Sequence, residues 1–146
     1  MAKDNQNSSW HTFSIVIKVF CLLPFLTGIA DIVGGTWILM QGGLRLPHEV
    51  ATDPILNSQI KFWGAIWLGF GASLWWVSNE PHKRGTIFII LMSTLFLSGL
   101  GRALSYALFG SPGTALTGAM AIELVGGLLF LLWHRQLNAN NAGLET

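Results

Sequence analysis

Five ionisable residues stand in stretches that are otherwise almost free of charge: Lys18, Asp31, Lys61, Arg102 and Glu123. Inside hydrocarbon such a side chain costs about 2.5–3.5 kcal/mol or more at a helix centre, so each is a candidate functional group. Arg102 precedes Gly110 by eight residues, and Glu123 follows Gly113 by ten. At the α-helical rise both lie about 12–15 Å below the Gly110–Gly113 turn, level with each other, and an ion pair is expected. Asp31 reaches a similar depth from the first apolar stretch, and Lys61 looks down from the end of the second. Thr94, Ser98, Arg102 and Ser105 recur at helical spacing as one polar stripe. The chemistry this set suits is the grip of a polar headgroup. Lys61 and Arg102 would hold it, Asp31 and Glu123 would balance charge or accept hydrogen bonds, and Trp63 and Trp67 would flank an apolar tail. A plainer role exists for Arg102 and Glu123, since a buried pair can simply fix helix register. Lys18 lies near the start of its helix, where it can snorkel to the interface.

These residues need a scaffold, and the composition restricts it. Of 146 residues 51% are apolar and 10% charged, against about 25% charged in an ordinary soluble domain. Mean hydropathy is +0.53. A soluble chain of this length could not hide so much apolar surface, so the reading is an integral membrane protein of one domain. A net charge of +1 offers no field to gather nucleic acid. The single cysteine, Cys21, excludes an internal disulfide framework. His11, His48, His82 and His134 are scattered and do not suggest a metal centre. No cofactor is indicated, and Ser105 has no adjacent base for a hydrolase triad.

The apolar runs predict an all-α, four-helix transmembrane bundle with helices at about 13–40, 59–78, 86–109 and 114–135. Gly110-Ser111-Pro112-Gly113 should turn the third helix tightly into the fourth as antiparallel neighbours. The stretch 41–58, with Gly42-Gly43, Pro47 and Pro54, reads as an external loop, and the Asn- and Ser-rich tails, 1–9 and 137–146, read as mobile. Lys3, Lys83, Arg84 and Arg135 fall on one side and Arg45 and Lys61 on the other, which predicts cytoplasmic termini. The first span lacks a cleavage site after its apolar run and is expected to be retained. Pro24 is placed to kink it. Small residues share faces with the ionisable groups: Gly28 and Gly35 with Asp31, Gly64 and Gly71 with Lys61, Gly126 and Gly127 with Glu123. Such positions let membrane helices approach closely.

The runs Asn57-Ser58-Gln59-Ile60-Lys61-Phe62-Trp63-Gly64-Ala65, Gly99-Leu100-Gly101-Arg102-Ala103-Leu104-Ser105, Gly110-Ser111-Pro112 and Glu123-Leu124 occur in that order. Together they resemble a bacterial family of small four-span membrane proteins catalogued as a domain of unknown function. The resemblance covers most of the chain and implies the fold, an inner-membrane location, and Lys61, Arg102, Ser105 and Glu123 as motif residues. It implies no activity. The family usually has Arg at the position of Lys61 and often Gly-Gly at Gly64-Ala65; lysine keeps the charge but loses a bidentate fork. A likeness to quinone-linked DoxX-type membrane proteins is architectural only.

Three functions are compatible with this pattern. The first is a pocket toward the outer leaflet that binds a lipid-like or other amphiphilic small molecule. The second is an accessory subunit, or a homo-oligomer, whose glycine faces pack against partner helices. The third is an enzyme that moves a proton within a lipidic substrate, with Glu123 or Asp31 as acid or base.

Overall fold

The computed structural model describes residues 2–142, with side chains described from 8 to 140. The described residues are almost entirely helical. In chain order they form α1 (Ala2–Gly34), α2 (Thr36–Gln41), α3 (His48–Ala51), α4 (Pro54–Ser78), α5 (Gly85–Phe109), α6 (Thr114–Ala121), a π-helical segment (Ile122–Gly126) and α7 (Gly127–Ala142). Three helical stretches are long and apolar enough to cross a membrane: Ser8–Gly34, Gly85–Phe109 and Thr114–Asn140. Only 28%, 22% and 11% of their most apolar windows are buried within the protein, so most of that apolar surface faces outward, as lipid contact requires. The four spans expected from sequence thus become three by this measure. α4 has 25 residues, but its four tryptophans and three glycines lower its hydropathy.

Two compact units make up the chain, residues 1–15 with 77–146 and residues 16–76. In the first, α5 and the α6–α7 helix are antiparallel neighbours. Their connection turns at Gly110 (φ 87°) and Gly113 (φ 95°), a left-handed backbone that glycine adopts without a side-chain clash. Phe13, Phe88, Met92, Leu95 and His134 are buried at the core. A methyl group on Gly99 would lie 3.0 Å from Glu123 Cβ, and one on Gly127 would lie 3.2 Å from Phe96 Cβ, so both glycines are contact points between the helices. Beyond α4, Glu80 pairs with Lys83 at 2.7 Å and Arg84 at 2.6 Å and staples the turn into α5. The hydrogen bond and charge of Lys83 hold the Glu80 carboxyl below the usual carboxylate range.

In the second unit α1 and α4 touch backbone to backbone. A methyl on Gly64 would lie 2.7 Å from Asp31 Cβ and 2.9 Å from the Gly28 carbonyl oxygen, and Gly71 sits against the Pro24 ring. The helix runs on through Pro24. It breaks instead at Gly35 (φ 54°, ψ −133°), so the expected first helix ends at Gly34 and a short α2 follows. The cause is a polar knot. Asn57 Oδ1 accepts from the Thr36 N–H (3.2 Å) and hydroxyl (3.3 Å), while Asn57 Nδ2 donates to the carbonyls of Ala51 (3.2 Å) and Asp53 (3.3 Å).

The expected 41–58 loop is shorter than its composition suggested, because α4 begins at Pro54. Asp53 Oδ1 caps the Leu56 N–H at 2.8 Å, an acidic cap followed by proline at the first helical position. Helix also continues into both tails expected to be mobile, as α1 starts at Ala2 and α7 reaches Ala142; their extreme ends, Met1 and 143–146, lie outside the described residues.

Gly64→Ala is expected to destabilise the protein by about 1–3 kcal/mol through the crowded α1–α4 contact. Gly69→Ala, on the same helix with no atom within 4 Å of its added methyl, should be neutral or raise stability by up to about 1 kcal/mol through helix propensity. Thermal unfolding in detergent checks the pair; equal shifts would contradict the contact.

Candidate functional site

In the first unit the expected ion pair is present. Arg102 Nε lies 3.0 and 2.9 Å from the two carboxylate oxygens of Glu123. The Glu123 side chain is 6% exposed and that of Arg102 42%. Gly99 makes the pair possible, because its missing side chain lets the Glu123 stem lie against α5. Glu123 also sits in the π-helical segment, where wider turns interrupt the α-helix. Such segments are frequent at functional sites. The pairing uses only the Nε edge of the guanidinium. Among the described residues no protein acceptor meets Nη1 or Nη2. Ser105 is exposed on the same helix, one turn further on. Thr94 and Ser98 of the polar stripe return their hydroxyls to the Ile90 and Leu95 carbonyls.

In the second unit Lys61 caps a helix. Its ammonium donates to the carbonyls of Ile32 (2.7 Å) and Val33 (3.4 Å), which the break at Gly35 leaves without helical partners. A cation at a helix C-terminus also meets the negative end of the helix dipole. Asp31 is half-buried where α1 crosses Gly64. Trp67 donates its indole N–H to Thr27 Oγ1 at 2.7 Å and stacks on Phe70 with ring centroids 5.0 Å apart. Trp63 is exposed and packs edge-on against Phe62. Lys18, expected to reach for the interface, holds its ammonium 5.7 Å from the Trp75 ring centroid.

Three features went unread in the sequence. Asn57 and Thr36 form the knot that sets the α1–α2 break; the Gly34-Gly35 pair was its only local signal. The π-helical segment has no signature beyond the neighbouring Gly126-Gly127. His134 is 2% exposed at the centre of an aromatic cluster, with ring centroids 4.8 Å from Phe88, 5.7 Å from Trp10 and 6.0 Å from Phe13. Gly85 makes room for its ring. Nε2 faces the Pro81 carbonyl at 3.4 Å and Nδ1 the Asn138 amide nitrogen at 3.3 Å, a pairing that fits the tautomer with the proton on Nε2. Among the described residues no group of three or more His, Cys, Asp or Glu side chains could hold a metal.

Lys61→Met should uncap α1 and lower stability by about 0.5–1.5 kcal/mol, the usual net worth of a hydrogen bond, whereas Lys61→Arg should retain most of it. Unfolding midpoints of the two variants in one detergent check this, and loss of equal size in both would remove the capping role.

No curated protein and no solved structure matches the chain. A family model described as a domain of unknown function, DUF4345, matches residues 12–134. That match spans α1 from Thr12 through the turn at Gly110–Gly113 to His134, and includes Lys61, Arg102, Ser105 and Glu123. The chain therefore belongs to the DUF4345 family.

Proposed function

We propose that this is a four-span protein of a bacterial inner membrane, with cytoplasmic termini, that binds a lipid-like amphiphile at Arg102 and Glu123. α4 serves as the fourth span; its 25 residues reach about 37 Å, more than a hydrocarbon core of about 30 Å. One observation carries the binding reading: the unmet edge of Arg102. In an apolar span, guanidinium N–H groups without acceptors are costly. Neither Nη1 nor Nη2 of Arg102 has a hydrogen-bond acceptor among the described residues, and the side chain is 42% exposed. A head presenting paired acceptor oxygens, such as a phosphate, a carboxylate or adjacent carbonyls, would satisfy that fork in the bidentate manner arginine favours. Because Arg102 and Glu123 neutralise each other, the ligand need not be strongly charged. Ser105, one turn along, offers a hydroxyl to the same head.

Glycine faces that suggested a partner subunit are largely occupied within the chain. Gly64, Gly71 and Gly127 meet the protein's own helices, while Gly69, Gly101 and Gly118 are open. The amphiphile reading therefore has the more specific support.

Arg102→Lys separates binding from architecture, since lysine can still pair with Glu123 but offers no second pair of fixed donors. Native mass spectrometry of gently extracted protein should show a discrete small adduct on the wild type that is lost from Arg102→Lys, with the unfolding midpoint nearly unchanged. Arg102→Ala should lose the adduct and also about 3–5 kcal/mol of stability, because Glu123 is left as an unpaired buried charge. An adduct retained in Arg102→Lys would reduce the pair to a structural fastener.

A further inference from the structure

Lys61 meets backbone carbonyls and Arg102 meets Glu123, but Lys18, in the second unit, is satisfied differently. Among the described residues no carboxylate, carbonyl or hydroxyl accepts from its ammonium. It meets the face of Trp75, with Nζ 5.7 Å from the ring centroid, within the reach of a cation–π contact. A ring face attracts the charge from one side only, and an ammonium carries three N–H donors. Water can meet the remaining hydrogen bonds but leaves the charge uncompensated. An anion would do both.

Packing fixes where the ammonium and the ring stand. Gly71 lies against the Pro24 ring and Phe25, which brings α4 onto α1 one turn before Trp75. Phe25 then holds the Trp75 ring at a centroid distance of 6.3 Å. Ile17 and Cys21, beside Lys18 on α1, and Leu74, beside Trp75 on α4, are buried, while Lys18 is half-buried and Trp75 exposed. The charge therefore sits at the rim of the α1–α4 contact and is open on its outer side.

Two further observations indicate what reaches it. Trp75 and Trp76 stand in the last turn of α4, which ends at Ser78. With α4 as a span, this is where tryptophans mark the membrane–water interface and where lipid phosphates lie. From Lys18 the exposed Leu22, Leu26 and Ile29 continue along one face of α1. They extend about 16 Å at the helical rise, close to half of a hydrocarbon core, the length over which one acyl chain lies in its own leaflet. We propose that Lys18 and Trp75 form a binding site for the phosphate of an anionic phospholipid whose acyl chain lies along Leu22, Leu26 and Ile29. A zwitterionic head would bring its own cation beside the ammonium, so a lipid of net negative charge is preferred. The site is separate from the Arg102 centre.

The test uses the full chain in nanodiscs that contain equal amounts of phosphatidylglycerol and phosphatidylcholine with the same acyl chains. Native mass spectrometry should show phosphatidylglycerol retained preferentially. Lys18→Gln should reduce that preference by about tenfold, the worth of a hydrogen bond to a charged group, and Lys18→Arg should restore it. The unfolding midpoint of Lys18→Gln in phosphatidylcholine alone should match that of the wild type, which reports that the fold is kept. Lys83→Gln, which removes a charge already paired with Glu80, should leave the preference intact, as should Arg102→Lys. Excess glycerol phosphate, the soluble head alone, should not displace the lipid. No preference in the wild type, or a preference unchanged in Lys18→Gln, overturns the proposal. An equal fall in Lys83→Gln would assign the preference to general surface charge, loss in Arg102→Lys would assign it to the other centre, and displacement by glycerol phosphate would assign the site to a free phosphate; each outcome equally overturns it.

Discussion

Close backbone approach at glycine is the constraint on which both units depend. Where no water competes, helices in a membrane gain little from burying apolar side chains against each other, and contact must come from tight packing and hydrogen bonds. In one unit Gly28 and Gly64 bring α1 and α4 into backbone contact. In the other, Gly99 admits the stem of Glu123, Gly127 admits Phe96, and Gly85 admits the ring of His134. The ion pair of Arg102 is a consequence of this closeness, since a bulkier residue at Gly99 would displace the carboxylate it meets.

Polar groups follow a second tendency, to find a partner within the protein, although the buried Trp10 Nε1 and Thr117 Oγ1 have none among the described residues. Thr27 gives its proton to the Leu23 carbonyl at 2.8 Å and takes one from Trp67. Thr94 and Ser73 turn their hydroxyls back onto carbonyls four residues earlier. Lys61 answers the open end of α1, and Asn57 answers Thr36 and two carbonyls of the segment before α4. The terminal nitrogens of Arg102, which meet no acceptor among the described residues, are the feature on which the proposed binding rests.

Much of this was legible in the sequence, and the limits are physical. α5 was expected at 86–109 and runs Gly85–Phe109, because a charge-poor stretch bounded by Gly85 and Gly110 leaves little choice. The Arg102–Glu123 pair could be counted out, since depth along two helices joined by a four-residue turn depends only on helical rise. The start of α4 is also readable: Asp53-Pro54 is a helix-start signal, although proline serves loops equally well. Lys61 was harder, because its partners are backbone carbonyls freed by a break that Asn57 helps to create. The surroundings of His134 were out of reach, as Trp10, Phe13 and Phe88 lie 46 or more residues away in sequence.

The π-helical segment also has a meaning in terms of phase. Glu123 and His134 both point at glycines of α5, Gly99 and Gly85. Moving along the bundle in one direction, eleven α-helical residues overshoot three turns by about 20°, whereas fourteen fall short of four turns by about 40°. Two regular helices would thus drift out of step between these contacts. A wider turn advances less angle per residue, and placed between Glu123 and His134 it delays the second helix in the direction the mismatch demands. The five residues Ile122–Gly126 therefore act as a vernier. Adding or removing one residue there would leave the span nearly the same length but change whether carboxylate and imidazole can face inward together.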